Sequence, residues 1–221
     1  MGIGGYGMKK LIFVVPFMSL LLLSACSFGD STQEKLSNVL TEIYEAEEGY
    51  REVQTSLKET ELKQQGNFQS MMELTQDQKE ELSAQVDATA NLLEERMTLV
   101  EKEKDSISKA KDKLTKLESV ISDAKEESEK ESIRSVEDAF KNRYDSYDKL
   151  VEQYNSLASL QDALYNMLLD EEADVSKIQE QVAEVNKQNE AVQQAVQEFN
   201  DLTTQLNEIK DQAFSTLQNE E

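Results

Sequence analysis

The sequence predicts an all-α protein, an elongated up-and-down four-helix bundle with coiled-coil-like packing. Three observations carry that prediction. From Asn67 to Glu221 there is neither glycine nor proline, and long runs of Glu, Lys, Gln, Ala and Leu without a breaker favour helix. Apolar residues recur every seven positions, with a second set filling the seam between them, and no stretch alternates as a half-buried strand does. The resulting stripes are narrow, so each must face another helix.

The first helix starts at Ser31, where STQE forms a capping box with Glu34 three residues on. Leu36, Ile43, Tyr50 and Leu57 make its core line, and Val39, Ala46, Val53 and Thr60 fill the seam. QQGNFQSMMELTQ, residues 64 to 76, breaks the register at Gly66 and offers Thr75 with Gln78 as a new cap, which predicts the first turn there. The second helix carries Val86, Leu93, Val100, Ile107, Leu114 and Ile121, joined by Ala110, Leu117 and Ala124. KEESEKES, residues 125 to 132, has no apolar side chain and also no breaker, so it reads either as a turn or as a solvated length of one continuous helix. The third helix is expected from about Ser132 to Asp170, with Ile133, Phe140, Tyr147, Tyr154 and Leu168 on one line and Val136, Leu150, Leu157 and Leu164 beside it. DEEAD, residues 170 to 174, is the last turn. The fourth helix uses Val175, Ile178, Val182, Val185, Val192, Val196, Phe199, Leu206 and Ile209, with Asn189 on the seam, where a polar residue fixes register. Short connections make neighbours antiparallel. If KEESEKES stays helical, the product is instead a three-helix bundle or a coiled-coil hairpin.

The amino-terminal segment has a different character. Lys9 and Lys10 precede the apolar run Leu11 to Leu23, and small residues follow before Cys26, the single cysteine. These are the three parts of an export signal. The run holds Pro16 and is shorter than the ~20 apolar residues of a membrane span. Leu23-Ser24-Ala25-Cys26 has the form of a bacterial lipobox, in which the cysteine sulfur takes a diacylglycerol and becomes the mature amino terminus. The expected division is therefore a signal peptide at residues 1 to 25, a lipidated tether at 26 to 30 and a helical domain at 31 to 221. Met8 is the better start, which leaves Met1 to Gly7 upstream of it. A myristoylation reading of MGIGGY fails, because Tyr6 stands where Ser or Thr is needed. Only Ser27 to Asp30 separates the lipidation site from the first cap, so the bundle begins within about 15 to 20 Å of the lipid, at ~3.5 Å per extended residue. The turns near 64 to 76 and 170 to 174 then point away from the membrane.

With Cys26 lipidated, the mature chain holds no free thiol and no histidine. That excludes Cys-His and Ser-His nucleophilic catalysis and the usual zinc and di-iron sites, so no cofactor or metal is expected and the chain is read as non-enzymatic. The formal charge is −22, or −24 without Lys9 and Lys10. So acidic a surface repels nucleic acid and anionic headgroups. Three weaker features remain. Phe68, Met71 and Met72, beside Asp170, Glu171, Glu172 and Asp174, form a candidate contact surface at the outward end, with packing beneath the loop as the alternative for the apolar three. DEEAD could offer oxygen ligands to calcium but lacks the spacing and glycine of an EF-hand. Phe140, Tyr144, Tyr147, Tyr154 and Tyr165 raise sugar stacking, although three of them lie seven apart and read more simply as core.

The lysine-apolar-LSAC start, the first helix LSNVLTEIYEAEEGY and the second half from DAFKNRYDSYDKLVEQYNSLASL through VQEFNDLT resemble the YkyA-type family of cell-wall-binding lipoproteins of Gram-positive bacteria. The resemblance runs from Met8 to Glu221, with the lipobox as its one sharp motif. It implies a four-helix bundle on the outer face of the cytoplasmic membrane, anchored there by diacylglycerol on Cys26 and facing the wall. It carries over no catalytic residue. Teichoic acids are anionic and would be repelled unless divalent cations bridge them, so neutral glycan or peptide stems suit the chain better. The rival class is a helical interaction or scaffold protein docking another surface or exported protein. A wall-modifying enzyme is the third class, disfavoured because the mature chain has no histidine, no thiol and no clustered polar motif, its many carboxylates being the acid/base groups left. A solute-binding lipoprotein would need strands and crossovers that the pattern does not predict.

Overall fold

A computed structural model describes residues 31–74, 77–170 and 172–219. The signal segment, Cys26, the tether, Thr75 and Glu171 lie outside the described residues. Six α-helices follow in order: α1 (Thr32–Ala46), α2 (Glu48–Met71), α3 (Lys79–Lys113), α4 (Leu117–Asp123), α5 (Glu127–Leu169) and α6 (Val175–Asn219), with a 3₁₀ turn at Leu114–Lys116 joining α3 to α4. They form four arms: α1 with α2, α3 with α4, α5, and α6.

The first arm begins as its capping box dictates. Ser31 Oγ accepts from the Glu34 amide at 3.2 Å, and Glu34 Oε2 accepts from the Ser31 amide at 3.1 Å. The helix then runs through Gly66 to Met71, where the sequence predicts a break. A glycine inside a helix costs only about 1 kcal/mol against alanine, and flanking turns that bury Gln64 and Met71 retain the segment. The break in this arm falls earlier, at Glu47, whose φ and ψ of −81° and 6° separate α1 from α2. The Ala46 carbonyl is satisfied instead by Ser106 Oγ of α3 at 2.7 Å. At Gly49 the two helices come so close that an added Cβ would lie 3.3 Å from Ser106 Cβ.

The acidic stretch after residue 124 is a turn, but a short one. Ala124 is extended, Glu126 is the cap of α5, and the helix starts at Glu127, five residues before Ser132. Carboxylates do the capping: Glu129 Oε2 accepts from the amides of Lys125 at 2.8 Å and Glu126 at 3.1 Å. Four antiparallel arms result, and at their 43 and 45 residues α5 and α6 reach roughly 65 Å.

Cross-links between arms fix the register. Lys35 pairs with Asp123 at 2.7 Å, Lys116 with Glu42 at 2.7 Å, and Arg96 with Gln64 at 2.6 Å, stepping in opposite directions along arms one and two. Gln188 and Gln181 of α6 donate to the carbonyls of Gln153 at 2.9 Å and Leu160 at 2.8 Å. Ser31, the turn at 124–126 and the end of α6 therefore share one end, the basal end. The turns at 72–78 and 170–174 share the other, the distal end.

The predicted seam residues form the core: Leu36, Ile43, Leu57, Val100, Ile107, Leu117, Ile133, Val136 and Leu206 are all buried. This main cluster fills the basal half and reaches into the distal half. A second, smaller cluster lies at the distal end, where Met71, Val86 and Leu93 meet Ala158 and Tyr165; α6 supplies none of it. Val175, expected on the seam of α6, is 63% exposed as the helix's first residue.

Candidate functional site

Two regions stand out once the core is removed from consideration: the distal end, and a column of buried polar groups from the middle of the bundle outward. At the distal end, α5 stops at Leu169 and α6 starts at Val175, so DEEAD is the connection, as its composition requires. The Ala173 amide bonds the Asp170 carbonyl at 3.1 Å, and the Asp170 and Asp174 carboxylates accept from the amides two residues on, at 3.0 and 2.9 Å. These Asx turns hold the loop in shape. Among the described residues no three acidic, histidine or cysteine side chains converge as metal ligands.

The predicted contact residues separate by burial. Met72 is 63% exposed, and Asp170, Glu172 and Asp174 are exposed. Met71 is 5% exposed and packs into the distal cluster, with Phe68 half-buried against it. These two side chains pack inward, so among the described contact residues of the prediction Met72, Asp170, Glu172 and Asp174 are the exposed ones. The large apolar side chains that the described residues expose, Leu62, Met72, Leu169 and Val175, all lie in the distal half.

The sugar-stacking reading of the aromatic residues is overturned. Phe140, Tyr144, Tyr147, Tyr154 and Tyr165 are each 6% exposed or less, so no ring face is open to a ligand. Tyr144 and Tyr165, which flank the heptad line, are buried because polar partners wait for their hydroxyls inside the bundle. Tyr144 donates to Glu47 Oε1 at 2.7 Å, and Tyr165 accepts from Gln64 Nε2 at 3.3 Å.

Those partners belong to the polar column, which the heptad pattern did not reveal. At its base the Glu47 carboxylate, turned inward by the α1–α2 break, accepts from Arg143 Nη1 at 2.6 Å, while Arg143 Nε donates to Thr203 Oγ1 at 3.0 Å and the guanidinium lies 4.7 Å from the Phe199 ring centre. One level outward, Glu103 of α3 accepts from Gln54 of α2 and, at 3.4 Å, from the Tyr147 hydroxyl of α5. Burial pushes the Glu103 carboxyl up to about 8, the Tyr147 hydrogen bond opposing and the nearby Glu61 adding to the rise. Next come Glu61, which accepts from Tyr154, and Arg96, whose guanidinium lies 4.9 Å from the Tyr154 ring centre. Burial also raises Glu61, against the pull of Tyr154 and Arg96. Arg96 Nη1 and Nη2 donate to Gln64 and Gln161, each at 2.6 Å. Arg96 Nε and Gln85 Oε1 are buried without a hydrogen-bond partner among the described residues.

Beside this column, α3 and α5 leave an open groove of about 440 Å³ floored by Val151 and edged by Lys104, Asp148, Glu152 and Asn155. Its rim is polar and mixed in charge, with no aromatic platform. No described helix is long and apolar enough to cross a membrane.

The chain is similar to known proteins over most of its length. A Bacillus subtilis (strain 168) protein named "Uncharacterized lipoprotein YkyA" is 25% identical over 194 residues, covering 88% of this chain and 86% of that relative. No solved structure matches. The family YkyA, described as "Putative cell-wall binding lipoprotein", matches residues 31–216, all four arms of the bundle. The chain, an all-α bundle over that span, belongs to the YkyA family of lipoproteins.

Proposed function

We propose that the chain is a non-catalytic lipoprotein held on the outer face of the cytoplasmic membrane by a diacylglycerol on Cys26, and that it binds the peptidoglycan of the cell wall with its distal end. The observation that carries this reading is the coincidence of the family match with the geometry of the bundle. The N-cap of the first helix, Ser31, stands five residues after Cys26, so the basal end sits at the lipid and the distal turns stand roughly 65 Å farther out. Met72, Asp170, Glu171, Glu172 and Asp174 are the contact residues of the proposal, with Phe68 and Met71 beneath them. The −22 charge of the chain disfavours the anionic wall polymers and leaves neutral glycan and peptide stems as the ligand.

Co-sedimentation of residues 27–221 with purified sacculi tests the reading, using sacculi intact and stripped of teichoic acid, with calcium and with chelator. Saturable binding that survives stripping supports peptidoglycan recognition. Binding that needs both calcium and teichoic acid transfers the ligand to the ion-bridged anionic polymer, and no binding under any condition overturns the proposal.

A second reading has its own support. Leu62, Met72, Leu169 and Val175 leave apolar surface at the distal half, which suits docking of another surface or exported protein. Crosslinking that captures one defined protein, without wall material, favours that reading.

A further inference from the structure

We propose that one flank of α6, running down from the distal turn on the side that faces the first arm, is a binding strip for an uncharged chain of N-acetylated hexosamines, the glycan backbone of the wall. The inference rests on the wall-binding reading and adds to it the residues that hold the glycan strand, side-on, below the distal turns.

The core line of α6 has two flanks. Six positions on from Val175 and Val182 stand Gln181 and Gln188, and both donate to α5, at the carbonyls of Leu160 and Gln153. Four positions on from the same line, at seven-residue intervals, stand Gln179, Asn186, Gln193, Asn200 and Asn207. This second flank is turned to the first arm, which meets α6 where the Tyr50 ring of α2 lies 6.0 Å from that of Phe199. Distal to that contact the first arm leaves it uncovered. Among the described residues the hydrogen bonds that α2 makes to other arms go to α3 and α5, and no extended backbone packing joins α2 to α6. Burial along the core line follows: Leu217 and Val196 are buried, Val182 and Asn189 are half-buried, and Val175 is exposed. The core continues underneath as an apolar floor, on which Ile178 and Val182 pack.

The chemistry of the strip is selective. Charged residues make up 31% of the chain, yet each of these flank positions carries a neutral carboxamide. Gln179 and Asn186 are exposed and Gln193 is half-buried. Among the described residues their side-chain amides form no hydrogen bond within the protein, whereas Gln181 and Gln188 are spent on α5. A carboxamide offers two donors and an acceptor, the complement of ring hydroxyls and acetamido groups, and no ion loses its hydration beneath a sugar. Val182, half-buried beside them, gives the C–H face of a sugar ring an apolar contact. Spacing agrees with the chemistry. Seven residues of helix rise about 10.5 Å, close to the length of one disaccharide, so successive carboxamides meet equivalent sugars of a repeating chain. The flank is neither apolar, as a docked helix requires, nor cationic, as an anionic polymer requires.

Nuclear magnetic resonance on residues 27–221 with the hexamer of β-1,4-linked N-acetylglucosamine reads the strip directly, through side-chain amide signals. Those of Gln179, Asn186 and Gln193 should shift saturably, with affinity rising about tenfold or more from the dimer to the hexamer. Signals of Gln194 and Gln205, exposed on the outer face of α6, should stay in place. Unmoved strip signals overturn the proposal. Co-sedimentation with sacculi stripped of teichoic acid separates it from the wall reading. The variant Gln179→Glu/Asn186→Asp/Gln193→Glu should bind about tenfold more weakly than the parent. Gln194→Glu/Gln205→Glu/Gln212→Glu adds the same charge at exposed outer positions and should bind as the parent does. Parent binding that the first variant retains, or that both variants lose alike, overturns the strip and leaves wall binding in place. A parent that does not bind sacculi overturns both.

Discussion

Replacing Glu103 by glutamine should stabilise the protein at alkaline pH. The carboxyl is 5% exposed, and burial lifts it from an ordinary 4.5 to about 8. A folded-state value above the unfolded one means that the folded chain binds the proton more tightly. The stabilising contribution is therefore fully present below about 4.5 and is lost as pH rises through about 8. At ~1.4 kcal/mol per pH unit between those values, ionising Glu103 inside the bundle costs on the order of 4 kcal/mol by pH 9. Glutamine is isosteric with the protonated acid. Its Oε1 can still accept from Gln54 and its amide can donate to the Tyr147 oxygen, so the variant retains both contacts of the parent. Urea titrations followed by circular dichroism at 222 nm, at pH 5, 7 and 9, give the comparison. The variant should match the parent within ~1 kcal/mol at pH 5 and exceed it by about 2 to 4 kcal/mol at pH 9. Because the other acidic groups are common to both proteins, the difference isolates Glu103. Parallel pH profiles, or a variant less stable than the parent at pH 9, would refute the reasoning.

Other substitutions probe the remaining elements. Gly66→Ala should raise stability by about 0.5 to 1 kcal/mol in the same titration, since an added Cβ meets no atom within 4 Å and the position is helical. Glu47→Ala leaves the buried Arg143 guanidinium without its carboxylate and should cost about 3 to 5 kcal/mol, while Glu47→Leu/Arg143→Met together should recover most of the loss. Cys26→Ala should move the protein out of the membrane fraction, and mass spectrometry of the parent should find diacylglycerol on the amino-terminal peptide.

Heptad spacing revealed the core because it depends only on which residues repeat on one helix face. It assigned Leu36, Ile43, Val86, Val100, Ile133 and Leu206 to the interior, where they are, and the Ser31 capping box fixed the first helix start. Gly66 misled because its helix cost is small beside the burial of its neighbours Gln64 and Met71. The turn at 124–126 contains no breaker; what ends and restarts helix there is carboxylate capping by Glu126 and Glu129, a signal that an all-acidic run conceals. The Glu47 break and the polar column were invisible for another reason. Ser106, Gly49 and Glu47 come together only when two arms pack, and Arg143, Arg96 and Glu103 look in sequence like the many solvated charges around them. A sharper reading of the periodicity could have flagged them, since Arg96, Glu103 and Arg143 each stand three or four residues from core positions.

The proposed function depends on orientation, with the basal end at the lipid and the distal end offered to the wall. Photo-crosslinking in living cells tests it most directly, with a photoreactive residue placed at Glu172 in the distal turn or at Lys125 in the basal one, both exposed. Attachment from position 172 to material that muralytic digestion releases, with position 125 capturing none, is the predicted result. Wall material captured from position 125 alone, or from neither position, would contradict it.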